Sequence, residues 1–159
     1  MKHKQVYLMS GAPGCGKSTY IAKQIAENGG IHISRDAVRF ANLKEGEYYF
    51  VREDEVFKKF VDAANAAIDN ENGPDNIYVD ATHLNFNSRN KILKRLHLDN
   101  ADVNVVSFQV PLETCLERNA KRDGRSFVPV SAVRRMWYQQ TDPATDGCSD
   151  HYNIIYVKE

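Results

Sequence analysis

Residues 11–18 read Gly11-Ala12-Pro13-Gly14-Cys15-Gly16-Lys17-Ser18, directly after the apolar run Val6-Tyr7-Leu8-Met9 and directly before a helix-like segment. Such a run forces a tight turn from a strand into a helix, because only a glycine-rich loop can curl closely enough to aim several backbone N–H groups at one point. A chain of phosphates is what that cradle holds. Lys17 is then placed to reach β and γ phosphates, Ser18 offers a hydroxyl to Mg²⁺, and the helix opening through Ser18 and Thr19 adds the positive end of its dipole. The segment from Gly11 to Thr19 therefore implies binding of a nucleoside triphosphate, ATP with Mg²⁺.

The rest of the chain repeats the same alternation. Short β-like runs fall at Gln5 to Met9, Ile31 to Ile33, Asn76 to Asp80, Val103 to Val110 and Tyr152 to Val157, each separated by helical or loop sequence. This order predicts an α/β fold, one three-layer domain with a mainly parallel sheet of about five strands flanked by helices. Phe50, Phe57, Phe60, Val61, Ala64, Ala67 and Ile68 recur at helical spacing among Glu53, Asp54, Lys58 and Lys59, which predicts an amphipathic helix whose aromatic stripe packs a core, a base-stacking surface being the alternative. Asn85 and Asn87 are candidate caps for a helix carrying Ile92, Leu93 and Leu96, with Arg89 among its polar residues. The polar stretch Thr141 to Asp150 is expected to be a mobile loop.

At 159 residues the chain has the length of one domain, residues 1–159. Lys plus Arg and Asp plus Glu each total 21, so any polynucleotide contact has to be local. No long apolar run or leader pattern is present, and three cysteines at unpatterned spacing suggest neither disulfides nor a zinc site. A cytoplasmic location and no membrane association are expected, and no obligate protein partner is implied.

Three constellations add chemistry to the loop. Ser34-Arg35-Asp36-Ala37-Val38-Arg39 follows the second strand, and in a parallel sheet the carboxyl ends of all strands point to the side of the loop. Asp36 and Arg39, three apart, share one helical face, so a carboxylate and a cation can together hold and deprotonate an incoming hydroxyl; a plain helix cap is the alternative. Asp80 ends the apolar run Ile77-Tyr78-Val79 and suits support of a Mg²⁺ shell with Ser18, or else caps the next turn. Six basic residues between Arg118 and Arg135 face one acid, Asp123. Arg118 and Arg122 stack on one face and form either a clamp over a triphosphate or a solvated surface.

Taken together, these residues resemble the kinase domain of bacteriophage-type polynucleotide kinases, within the small phosphate-loop kinases that include zeta toxins and AAA-like relatives. The likeness runs through the loop, Ile33 to Arg39, Leu84-Asn85, Val110-Pro111, Arg118 to Arg122, Val128-Pro129-Val130 and Val133 to Tyr138. It implies transfer of the ATP γ phosphate to a 5′-hydroxyl end of DNA or RNA. Asp36 would be the general base, Arg39 the holder of the acceptor phosphate, Lys17 and Arg122 catalytic contacts to the donor, and Arg118 their neighbour. The lid would span about residues 118–129. Asp80 falls one position earlier than the acid of the phage enzymes, and His83 stands where they have asparagine. No phosphatase-type Asp-x-Asp segment follows, so a kinase without end-trimming activity is expected. A kinase of a nucleoside, sugar nucleotide or other small molecule, and a nucleotide-gated ATPase or binding module, remain alternatives.

Overall fold

The computed structural model describes residues 3–47, 50–124 and 127–158. Its five strands are β1 (Lys4–Ser10), β2 (Ile31–Ser34), β3 (Asn76–Asp80), β4 (Ala101–Gln109) and β5 (Asn153–Lys158). All pair in parallel, in the order β2-β3-β1-β4-β5. Six α-helices connect or follow them: α1 (Lys17–Asn28), α2 (Arg35–Asn42), α3 (Glu53–Asp69), α4 (Phe86–Leu93), α5 (Leu112–Ala120) and α6 (Val130–Tyr138). Each of the five predicted runs is a strand, displaced by no more than two residues at either end.

Alternation along the central strands builds two cores. Val6, Leu8, Ile77, Val79 and Val105 face one side, where Phe60, Val61 and Ala64 of α3 and Ile92 of α4 cover them. Met9, Tyr78 and Val106 face the other, under Ile21 of α1, Cys115 of α5 and Val133 of α6. The side-chain period of two in a strand thus makes a three-layer domain out of near-continuous apolar runs. The aromatic stripe of α3 divides: Phe60 is core, whereas Phe57 is only partly buried, with the Lys91 Nζ 4.3 Å from its ring centroid.

Two expectations need correction. Arg89 is not one of a polar surround but is fully buried: its Nε and one terminal nitrogen donate to the two carboxylate oxygens of Asp146 at 2.7 and 2.8 Å. Consequently Thr141 to Asp150 is no loose loop. Two short 3₁₀ turns carry it (Pro143–Thr145 and Ser149–His151), Asp146 and Pro143 are buried, and the Thr141 N–H donates to the Leu84 carbonyl at 2.9 Å. A charge pair between distant segments leaves no mark on local hydropathy, so the segment reads as polar and unanchored. Asn85 does cap α4, and Ser88 completes a reciprocal capping box with it.

Candidate functional site

The phosphate-type loop is the link between β1 and α1. Gly16 is the residue before α1 and has φ 101°, while Gly14 has φ 83°, both in the left-handed region where a side chain is strained. At Gly14 a Cβ would also run into the Cys115 carbonyl oxygen, so the close approach of α5 demands glycine. Lys17 curls back over the loop, its ammonium donating to the carbonyls of Gly11 and Ala12 at 2.9 and 3.2 Å. Arg118, from the last turn of α5, donates to the Cys15 carbonyl at 3.0 Å and so braces the loop from the far side.

A cavity of about 570 Å³ opens at the carboxyl ends of the strands, lined by Gly14, Gly16, Lys17, Ser18 and Thr19 together with Pro13. The same cavity is lined by Asp36 and Arg39 of α2, by Asp80 at the end of β3, and by Arg118 and Arg122. Five residues proposed from three separate stretches of sequence therefore meet the loop in one space. Gly11, Ala12 and Cys15 sit behind the lining and are buried. Their N–H groups serve the loop's own architecture, donating to the Thr82 carbonyl, the Gln140 amide oxygen and the Ala12 carbonyl. Arg125 and Ser126, inside the expected lid, lie outside the described residues, as do Met1, Lys2, Tyr48, Tyr49 and Glu159 of the expected 1–159 domain.

On the α2 side, Ser34 caps the helix by accepting from the Ala37 N–H at 3.1 Å, which fixes the direction of its first turn. Asp36 and Arg39 then form the ion pair their spacing allows. Arg39 is buried, and its other terminal nitrogen donates to both oxygens of Glu53, at 2.6 and 3.1 Å. Arg35 lies 3.7 Å from the same carboxylate. Asp36 remains 56% exposed on its side chain and faces the cavity.

Asp80 is buried, and one of its oxygens meets the His32 Nε2 at 2.8 Å across the β2–β3 pair. Ser18 is exposed at the head of α1. A hydroxyl and a carboxylate lining one cavity suit a cation that keeps water and phosphate oxygens as its other ligands, the habit of Mg²⁺. Among the described residues no group of three His, Cys, Asp or Glu side chains could cage a metal without such ligands. His83 stays out of the cavity. It is buried, with Nδ1 2.7 Å from the Met9 carbonyl; burial holds its imidazole down to about 4, and the Arg35 and Lys17 cations add to that against the pull of the Met9 carbonyl and Asp80.

Residues 6–145 match the AAA domain family. The chain belongs to that family. Among solved structures, this AAA domain superposes on a chain of the Pnkp1/Rnl/Hen1 RNA repair complex with a TM-score of 0.73 at 25% identity. That match covers 87% of this chain and 44% of the other, so this chain spans less than half the length of the repair protein. A fungal RNA kinase matches with a TM-score of 0.68 at 14% identity, over 99% of this chain and 75% of the other. A gluconokinase from Sinorhizobium meliloti 1021 matches with a TM-score of 0.63 at 16% identity, over 99% and 84%. The fold is that of the phosphate-loop kinases, and it implies use of a nucleotide. Among the described residues no helix is long and apolar enough to cross a membrane.

Glu53, His32 and Gln140 are the cavity's supports that the sequence does not announce. Glu53 reads as one more charge on the polar face of α3, and nothing in its spacing connects it to Arg39, 14 residues earlier on another helix. His32 lies in a strand and reaches Asp80 only because β2 pairs with β3. Gln140 follows α6 and touches the loop 128 residues away.

Proposed function

We propose that this AAA domain transfers the γ phosphate of ATP to a 5′-hydroxyl end of DNA or RNA. The observation that carries the reading is the Asp36–Arg39 pair facing the same cavity as Lys17 and the glycine loop, which sets an acceptor half against a donor half. The RNA repair and RNA kinase likenesses support a nucleic-acid acceptor.

In this reading Lys17 exchanges the Gly11 and Ala12 carbonyls for phosphate oxygens, a short swing within the loop. Ser18 and Asp80 would hold Mg²⁺, with His32 fixing the Asp80 carboxylate, and the ion would supply neutralisation of phosphate charge. Asp36 accepts the proton of the acceptor hydroxyl. The transition state of phosphoryl transfer is loose, so Asp36 contributes more by orienting that oxygen in line than by removing its proton early. Arg122, with Arg118 behind it, spreads the charge of the transferring group. Arg39 holds the acceptor phosphate next to the reacting nucleoside.

Incubation with labelled ATP and Mg²⁺ against 5′-hydroxyl oligonucleotides of both kinds, nucleoside 3′-monophosphates, nucleosides and gluconate tests this directly. Labelled oligonucleotide is expected, and its absence overturns the reading. One observation favours a second acceptor class: Asp36 and Glu53 already engage both terminal nitrogens of Arg39, which suits a small hydroxyl compound with no phosphate for that cation to grip, and a gluconokinase shares the fold. Label in a small molecule alone would establish that alternative.

A further inference from the structure

Phe50 is one of the few large apolar side chains this domain leaves exposed, at 39%, and it lines the cavity on its acceptor side. The other aromatics of its stripe go elsewhere: Phe60 into the core and Phe57 under Lys91. Phe50 instead lies against Arg39, whose guanidinium carbon sits 5.7 Å from the ring centroid. That guanidinium cannot swing freely, because Asp36 takes one terminal nitrogen and Glu53 grips the other with both oxygens. An aromatic ring backed by an immobilised cation is a preformed flat surface, beside the carboxylate proposed to receive the acceptor hydroxyl.

We propose that Phe50 is the stacking surface for the nucleobase of the acceptor's 5′-terminal nucleotide. The inference rests on the nucleic-acid reading above and deepens it by giving the base, as distinct from the phosphate, a site. Aromatic stacking accepts any base, since each has a π face, so the site distinguishes a base from no base with little preference among the four. The plane of the immobilised Arg39 guanidinium supports the ring on which the base lies.

The test uses the whole chain and two 5′-hydroxyl oligonucleotides identical except that one carries an abasic sugar at its 5′ end. Wild type is expected to phosphorylate the base-bearing oligonucleotide with a KM roughly tenfold below that for the abasic one. Phe50→Leu should raise the first KM to the level of the second and leave the abasic KM, and the KM for ATP, unchanged; Phe50→Trp should keep the discrimination. Equal loss on both oligonucleotides, or a wild type that does not distinguish them, overturns the stacking site while the kinase reading stands. Phosphorylation of neither oligonucleotide by wild type overturns both. Unfolding temperatures of the two variants equal to wild type show that the substitutions act on the acceptor alone.

Discussion

Replacing Arg89 with Met should destabilise the domain more than any surface charge change. The guanidinium and the Asp146 carboxylate are each only 1% exposed on their side chains, and they bond through two parallel contacts. Arg89 further donates to the Ser10 hydroxyl at 3.2 Å, the His83 carbonyl at 3.0 Å and the Thr141 hydroxyl at 3.0 Å, and Tyr152 donates to Asp146. Methionine fills most of the volume but strands a buried carboxylate with one hydroxyl partner. Breaking a buried pair on one side costs about 3–5 kcal/mol. For a domain of this size that corresponds to a fall in Tm of about 6–20 °C. Asp146→Asn in the Arg89→Met background removes the stranded charge and should recover at least about 1 kcal/mol.

The pH dependence tests the same reasoning from another side. In the wild type, burial pushes the Asp146 carboxyl up, but hydrogen bonds from Arg89 and Tyr152 and the Arg89 charge outweigh it and hold it below the ordinary range. Its contribution is present above the unfolded value of about 3.9 and lost as pH falls through the lower folded one. In Arg89→Met burial dominates and the carboxyl rises, so folding then favours the protonated acid and the penalty grows as pH increases. The stability gap between the two proteins is therefore widest near neutrality and narrows below about pH 4. Urea unfolding of the four members of the cycle at pH 7 and pH 4 measures this. A penalty below about 1 kcal/mol at pH 7, or a gap that widens in acid, refutes the account.

Three further outcomes follow from the site. Asp36→Asn keeps the Arg39 contact in shape but cannot accept a proton; turnover should fall by about 10²–10⁴-fold with ATP affinity, read by calorimetry, within about twofold of wild type, and loss of ATP binding would remove Asp36 from the acceptor role. His83 is neutral when folded because burial lowers it to about 4, so it stabilises the fold above about pH 6.5 and that stabilisation, about 3 kcal/mol at most, is lost as pH falls toward 4. Asn tolerates its φ of 38° and cannot titrate, so His83→Asn should flatten the unfolding free energy between pH 7 and pH 4. Gly14→Ala places a Cβ against the Cys115 carbonyl at a left-handed φ, and should weaken nucleotide binding by more than tenfold; unchanged affinity would mean that the loop and α5 separate easily.

How far the sequence reveals this molecule depends on how far apart the interacting residues stand. The loop and the Asp36–Arg39 pair are legible because each lies within one element: glycines at fixed offsets, and an acid and a base one turn apart on α2. The strands are legible because β3, β1 and β4 are covered on both faces and so are written as apolar runs. Asp80 is legible as an acid closing such a run, but its partner His32 is not, since the strand order that joins them is a property of the whole sheet. Glu53 and Arg89 mark the limit most sharply. Each looks like an ordinary surface charge on an amphipathic helix, yet one braces Arg39 at the cavity and the other ties Asp146 to the base of the loop. A buried charge costs too much to exist without its partner, so such residues gain meaning only in pairs. The pair is supplied by topology, here by α3 folding back on α2 and by the segment after α6 closing over α4.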